Sequence, residues 1–442
     1  QMRVSCAEQN ERSDLFTDKL CWTYTPLASQ ARFRASQSRL KGFSGPVGSG
    51  KSAALCFESI RNAYINRGRQ GVVAAPTFAM LRDATLTSLL RMMDEYDVEF
   101  EMRKADGELT VTSPASTLLL RSLDEPERLR GTNLAWFAID ELSYAREEAW
   151  LRLEARLRDP KAKKLCGFGV WTPQGHDWIY KRFIHAPVAG YDCVQARPFE
   201  NRHVLDRTPD YYERLERSYD PRFYRQEVLG EYLNSRADRV YHCFNPKVHV
   251  LPHVYDPQKP LLWALDFNVA PMSSVLLQWS GSQLVVIDEI VLERATTEEA
   301  CAEFENRYKG HALQIEIFGD ASGRNMHTTG KTDYTLLQAF LHRAGFRQIR
   351  LRVPLSNPPV LNRVQKVNAL LTNALGEVQL EIDPRCKELI KDFEEVMFKP
   401  DSGVIDKVRD PRRTHASDAL GYVIWELFTE KVRSGEMDRR LF

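Results

Sequence analysis

The sequence predicts two α/β domains in series, and three observations carry that prediction. The first half alternates short apolar strands with helices and gathers polar residues at the strand ends. A stretch over 234–260 that mixes Pro, His and Asp breaks this rhythm. Beyond it, Leu261 to Asp266, Ser273 to Ser280 and Gln283 to Val291 read as three strands with a Gly281-Ser282 turn between the last two, after which helices and strands alternate again. At 442 residues the chain exceeds one ordinary domain, which holds about 100 to 200 residues. The expected division is a first domain over 1–235, a linker over 236–260, a second domain over 261–430 and a tail over 431–442.

Composition bounds the function. Hydrophobic residues make up 43% and charged residues 27%, the balance of a globular protein with sizeable cores rather than a disordered chain. No run of 18 apolar residues occurs and the polar opening lacks the centre of a secretory signal, so a cytoplasmic location is expected. The 8 cysteines form no CxxC pair, which favours reduced thiols over disulfides. A net charge of +1 means that a polyanion would have to be held by local basic surfaces.

Each element of the first half then finds a place. Gly45 to Ser52 reads GPVGSGKS and fits G-x-x-x-x-G-K-[ST] at every fixed position. Gly45, Gly48 and Gly50 let the loop curl around Ser49 so that backbone N–H groups face phosphate oxygens, with the next helix adding its positive end. Lys51 would grip the β and γ phosphates of ATP and Ser52 would ligate magnesium. Ala53 to Arg67 has the apolar spacing of that helix, which makes a chance glycine turn remote. Val72 to Thr77 is a short strand closed at Pro76, and Leu109 to Leu120 reads as a hairpin. Leu134 to Ile139 is apolar on both faces, as a central parallel strand should be, and ends in Asp140-Glu141. Asp140 would hold the magnesium, and Glu141 would be the base that orients the attacking water. Leu165 to Trp171 is a further strand, ending at Thr172. Thr172 either senses the γ-phosphate or simply opens a turn. The pattern is a doubly wound sheet with its ligand site at the strand carboxyl ends.

In this order, a glutamine-bearing lead-in at Gln30, GPVGSGKS, VVAAPT, LRGTNLAWFAIDE, WTPQG and DPRFYRQEVLGEYL, the chain resembles the large terminase subunits of tailed bacteriophages. The resemblance implies that Gln30 contacts adenine, that Thr172 belongs to a coupling motif, and that Phe223 to Leu233 ends the motor. It also implies an arginine near the nucleotide at Arg130, for which a plain surface residue is the alternative. An arginine supplied by a neighbouring subunit is expected too, with Arg103 and Arg121 as candidates.

The second half reads as a nuclease. Its strand order matches the ribonuclease H-like fold, which places carboxylates on the first strand, at the end of the fourth and on a late helix; Asp266, Asp320 and Asp418 stand there. Such acids suit two Mg²⁺ ions, or Mn²⁺ in their place, roughly 3.5 to 4 Å apart, which activate water and stabilise the leaving oxygen. His415 precedes Asp418 by one helical turn and either steadies the site or merely begins the helix. One of Asp288 and Glu289 would supply a further carboxylate, since alternation lets only one face the site. Lys399, Lys407, Arg409, Arg412 and Arg413 make a basic loop that tracks the DNA backbone or is simply solvated. In the linker, His242, Cys243, His249 and His253 are zinc-binding types, at a spacing that fits no standard finger.

The resemblance covers almost the whole chain and implies a packaging motor. In that reading a homo-oligomeric ring on the procapsid hydrolyses ATP and drives double-stranded DNA inward, with a portal protein and a small terminase subunit as partners in the host cytoplasm. The nuclease cuts concatemeric DNA. Three alternatives differ in class: a helicase or restriction-type translocase fused to a nuclease, for which no second motor domain is visible; an ATP-switched DNA-binding clamp with a structural acidic centre; and a recombinase or transposase, which would not need the nucleotide motifs.

Overall fold

The computed structural model describes residues 25–124, 131–233, 239–267, 271–326, 330–399, 404–408 and 410–429. The chain divides into two compact units. Of the described residues, one unit holds the chain up to Tyr211 together with 225–233; the other holds Tyr212–Tyr224 and the chain from 239 onward. Arg130 and the tail over 431–442 lie outside the described residues.

The first unit is built on an eight-stranded sheet of order β3-β4-β5-β2-β6-β7-β1-β8. The strands are β1 (Leu40–Ser44), β2 (Gln70–Ala75), β3 (Phe100–Arg103), β4 (Glu108–Val111), β5 (Ser116–Ser122), β6 (Trp136–Ile139), β7 (Cys166–Trp171) and β8 (Tyr191–Gln195). From β5 to β8 all neighbours run parallel, whereas β3 and β4 extend the edge as antiparallel strands. The parallel strands β1, β6 and β7 are buried throughout because helices cover both faces. Glycines admit aromatic rings into this sheet. A Cβ at Gly71 would stand 2.0 Å from the Trp136 ring, and one at Gly42 would stand 2.3 Å from the Trp171 ring, so neither site tolerates a side chain.

The second unit has a six-stranded sheet of order β13-β12-β9-β10-β11-β14. Its strands are β9 (Leu261–Asp266), β10 (Met272–Ser280), β11 (Gln283–Leu292), β12 (Ile315–Gly319), β13 (Ile349–Leu351) and β14 (Leu380–Ile382). β9, β10 and β11 form the antiparallel meander, with a register shift between Leu276 and Leu277. β12 joins β9 in parallel, pairing Gly319 with Leu265. Two apolar cores flank this sheet, one closed by helices Val360–Leu371 and His415–Phe428, the other by helices Thr297–Tyr308 and Asp333–Arg343.

The segment read as a linker is not a loose tether here. Val240, Tyr241 and Phe244 are buried in the core of the second unit, since three large apolar residues within five positions seek cover whatever prolines follow. Among the described residues no helix is long and apolar enough to cross a membrane. The described cysteines Cys56, Cys166, Cys193, Cys243, Cys301 and Cys386 are free thiols, as their scattered spacing predicts.

Candidate functional sites

In the first unit β1 feeds the glycine loop and the loop feeds helix Lys51–Ile65. Gly48 and Gly50 take φ of 73° and 79°, conformations a side chain resists. Gly45 is required for space, because a Cβ there would meet Ser49 Oγ at 2.7 Å and Ala196 Cβ at 2.8 Å. Ser49 is buried and donates its hydroxyl to the Pro46 carbonyl at 2.7 Å. Lys51 is buried as well, and its ammonium donates to the carbonyls of Gly45 (2.9 Å) and Pro46 (2.8 Å). Burial pulls the Lys51 pKa down, while the charges of Glu141, Glu227 and Asp140 oppose that pull. Three acids therefore face one buried cation, an arrangement suited to a phosphate and its metal.

Asp140 follows β6 and is 2% exposed. Burial raises its pKa, but the Thr85 hydroxyl donates to it at 2.9 Å, the Glu141 N–H at 3.1 Å and the Ser52 hydroxyl at 3.4 Å. Ser52 and Asp140 thus sit side by side, a hydroxyl and a carboxylate of the hard-oxygen type that magnesium takes, so the donor set fits that ion. Glu141 adopts φ 48°, a strained backbone for a side-chain-bearing residue and of a kind that clusters at active sites. Burial first, then the neighbouring Asp140, raises its pKa to about 6. That value suits a base working near neutral pH.

Gln30 is buried beside the loop. Its amide donates to the Gly50 carbonyl at 2.8 Å and accepts from the Leu27 N–H at 2.9 Å, fastening helix Ala28–Ala35 to the phosphate loop. Thr172 is buried at the end of β7. Arg121 donates to the carbonyls of Asp106, Gly107 and Leu120, so its guanidinium is taken up by its own hairpin, whereas Arg103 is exposed at the end of β3. Sequence reading missed Thr85, Asn201, which donates to the Gly48 carbonyl at 2.6 Å, and Glu227, whose own carbonyl accepts from Val47 at 2.7 Å. Glu227 lies in the DPRFYRQEVLGEYL segment, so the sequence held the signal without a role attached to it.

In the second unit Asp266 ends β9 and Asp320 follows β12, and the parallel register sets these strand ends next to each other. Helix His415–Phe428 packs across β9, β10 and β12 and brings Asp418 in its first turn. Asp320 is held by the Ser322 N–H, by the Asn357 amide at 2.8 Å and by the Tyr422 hydroxyl at 3.3 Å. Burial pushes the Asp320 pKa up, but these donors outweigh it and leave it below the usual value. Asp418 pairs with Arg363 at 3.2 Å and Lys407 at 3.1 Å. Arg363 is 5% exposed and lies over the Tyr422 ring, 4.2 Å from its centroid. Burial pushes the phenol of Tyr422 up, Arg363 opposes that, and the charges of Asp320, Asp418 and Asp266 add to it. Their oxygens are not drawn into one cluster within 4.8 Å among the described residues. The set is nonetheless hard oxygen, convergent and balanced by cations at Asp418, which fits divalent ions of the magnesium type.

His415 does more than begin its helix: Nδ1 lies 3.0 Å from Asp266 Oδ2. That hydrogen bond, against the opposing effect of burial, raises the His415 pKa. Both residues of the Asp288-Glu289 pair are engaged by other partners. Asp288 accepts from Arg307 at 3.1 Å and Tyr308 at 2.9 Å, and Glu289 caps helix Lys387–Glu395 through the N–H groups of Glu388 and Leu389. The basic loop is also less free than its composition suggests. Arg413 is buried against Glu388 and Asp392, Arg412 pairs with Asp410 and Lys407 with Asp418, while Arg409 lies outside the described residues.

Residues 43–245 match the family described as terminase large subunit, T4likevirus-type, N-terminal. Against curated protein sequences nothing matches. Among solved structures, the large terminase of a thermophilic bacteriophage in complex with ADP is similar over 91% of this chain and 100% of its own, with a TM-score of 0.63 and 18% identity. The same phage protein in complex with ATP-gamma-S is similar over 90% and 98%, with a TM-score of 0.60 and 16% identity. At such identities the likeness is one of fold, and it bears out the expected series of a P-loop NTPase sheet followed by a ribonuclease H-like domain. The family match over residues 43–245 and the likeness of fold over both halves make the chain similar to the large terminase subunits.

Proposed function

We propose that this chain packages a viral genome, hydrolysing ATP to move double-stranded DNA into a procapsid and cutting concatemeric DNA with its second unit. One observation carries the reading: a single chain holds a buried Lys51 in a glycine loop with Ser52 and Asp140 side by side, and separately Asp266 and Asp320 at neighbouring strand ends with Asp418 on the helix packed across them. A nucleotide motor and a phosphodiesterase are the two chemistries such sites serve.

In the motor, the loop N–H groups and Lys51 would bind the phosphates of ATP, with Gln30 at the adenine. Ser52 and Asp140 would hold Mg²⁺, which neutralises phosphate charge when bound. Glu141 would take a proton from the attacking water, and Thr172 would sense the γ-phosphate. In the nuclease, Asp266, Asp320 and Asp418 would hold Mg²⁺ or Mn²⁺, which supplies the Lewis acid for phosphodiester hydrolysis. Asn357, Tyr422 and Ser322 fix the Asp320 carboxylate, and His415 fixes Asp266. A ring of subunits docked on a portal, guided by a small terminase subunit in the host cytoplasm, completes the reading. Arg103 is the better of the two candidates for an arginine acting on a neighbour's nucleotide, because Arg121 is engaged by carbonyls.

The test is supercoiled plasmid incubated with the purified chain and Mn²⁺ or Mg²⁺, beside an Asp320→Ala variant and an EDTA control. Cutting that is lost in both controls supports the nuclease. Cutting that survives Asp320→Ala overturns the acid assignment, and no cutting at all favours an ATP-switched clamp.

A further inference from the structure

A second cluster of ligating side chains lies outside both sites. Asp220, His242 and Cys243 belong to the second unit, and their ligating atoms all lie within 4.8 Å of one another. Part of this is ordinary structure. Asp220 Oδ1 accepts the N–H groups of Arg222 and Phe223, both at 3.0 Å, and lies 3.0 Å from His242 Nε2. The remainder is not. Asp220 is 1% exposed, yet its other oxygen, Oδ2, has no hydrogen-bond partner among the described residues. An ionised carboxylate oxygen buried without a partner is costly, and such an atom asks for a cation. Next to it stand an imidazole and a thiol.

We infer that Asp220, His242 and Cys243 form a zinc site, with solvent in the fourth position. Bonds of roughly 2.0 to 2.3 Å put tetrahedral ligands about 3.5 Å apart, so the present spacing needs only small side-chain rotations. A thiolate and an imidazole select zinc over magnesium, which takes oxygen ligands, so the site does not compete for the ion that the nuclease acids use. Binding breaks the Cys243 S–H bond, forms a bond from Sγ to zinc through a sulfur lone pair, and releases the proton to solvent. Thiolate and carboxylate together neutralise the two charges of the ion. Without metal, burial and the charge of Asp220 push the Cys243 thiol up to about 12, which leaves it protonated and inert. His242 is 26% exposed, which gives water a route to the fourth position.

The consequence is mechanical. Asp220 sits in Tyr212–Tyr224, a segment that belongs to the second unit although the chain on either side of it belongs to the first. Zinc would fasten that excursion to the turn that carries His242 and Cys243. The zinc site shares no residue with either proposed reaction and so stands apart from the packaging assignment.

The test takes the full chain, stripped with chelator, repurified and given zinc alone. Wild type should bind one equivalent more zinc than Cys243→Ser. With cobalt in place of zinc it should show a thiolate-to-metal charge-transfer band that Cys243→Ser and His242→Gln both lack, and zinc should raise its unfolding midpoint but not theirs. The inference is overturned if wild type shows no such band, or if the band persists in Cys243→Ser.

Discussion

His415 joins Asp266 to the start of its own helix: Nδ1 lies 3.0 Å from Asp266 Oδ2, and Nε2 lies 2.9 Å from the Pro411 carbonyl. The hydrogen bond to Asp266, against the opposing effect of burial, raises the His415 pKa. His415 therefore favours its protonated form beside the Asp266 carboxylate and fixes that group's orientation. His415→Ala should reduce metal-dependent plasmid cutting by about 10- to 100-fold, the range for losing a group that orients a ligand. Relaxation rates of supercoiled plasmid measure this, and an unchanged rate would return His415 to a purely structural role.

Asn357 offers a sharper version of the same argument. Its amide donates to Asp320 Oδ1 at 2.8 Å while its carbonyl accepts from the Ala321 N–H at 2.8 Å, so it locks the carboxylate to the turn that follows β12. Asn357→Ala leaves the acid in place but frees its orientation. The Mn²⁺ concentration needed for half-maximal cutting should rise about 10- to 100-fold, with the rate at saturating metal much less affected. A fall in that saturating rate with no change in metal requirement would show that Asn357 does not act through Asp320.

The contrast between Asp320 and Asn357 shows what the sequence could and could not disclose. Asp266, Asp320 and Asp418 were legible because each ends or begins a regular element, and fold order says which ends meet. The same holds for Lys51 and Asp140, where motif and strand period agree. Asn357 and Arg363 were not legible, because they meet Asp320 and Asp418 across 37 and 55 residues, a closeness that only tertiary packing creates. Asp288 and Glu289 were rightly seen to alternate, but both orientations found other partners, one in Arg307 and the other in a helix N-terminus. β3 was missed because four residues at a half-exposed sheet edge carry too little apolar pattern to separate from a loop. Tyr212–Tyr224 falls within the first domain expected over 1–235, and nothing local reports that it packs with the second unit.

Glu141 and Lys51 separate catalysis from binding. Glu141→Gln keeps the shape and removes the base, so ATP turnover should fall by about 10²- to 10⁴-fold while nucleotide binding persists. Lys51→Ala should abolish binding itself. Neither change touches the acids of the second unit, so metal-dependent cutting without ATP should match wild type in both variants. Parallel phosphate-release, nucleotide-binding and plasmid assays check all three statements, and lost cutting in Glu141→Gln would contradict independent sites.

Asp392 predicts a dependence of stability on pH. It accepts the Ser417 N–H at 3.0 Å and faces Arg413 at 3.6 Å, steadying the start of the helix that bears Asp418. Burial raises its pKa to about 6 despite those partners. A carboxyl raised in the folded state holds its proton more tightly there than when unfolded. Its stabilising contribution is therefore full below the ordinary carboxyl value and is lost as pH climbs toward about 6. One pKa unit corresponds to about 1.4 kcal/mol. Asp392→Asn cannot titrate, so the difference in unfolding free energy between wild type and variant should shift against wild type between about pH 4 and pH 6. Denaturant titrations across that window measure the shift, and a constant difference would mean that Asp392 is not raised.

Beneath the nucleotide loop, Lys41 on β1 and Glu58 on helix Lys51–Ile65 form an ion pair of 2.8 Å with both side chains 1% exposed. Lys41 also donates to the Phe33 carbonyl at 2.9 Å and lies over the Phe33 ring. The strand that enters the loop and the helix that leaves it are thus tied together about two helical turns behind the phosphate site, and through Phe33 to the helix that carries Gln30. A buried pair adds little net stability over apolar residues of the same volume, but breaking one half strands a charge and costs about 3 to 5 kcal/mol. Arg61 remains beside Glu58 at 3.1 Å, which places Lys41→Met at the low end of that range. Glu58→Leu leaves Lys41 with one carbonyl and a ring, and should cost more. The double variant should cost less than either single change, yet nucleotide should bind it more weakly than wild type, because apolar packing fills the space without fixing loop geometry. Denaturant unfolding together with nucleotide titration of the three variants decides this. Additive losses of stability, or wild-type affinity in the double variant, would show that the pair does not set the loop.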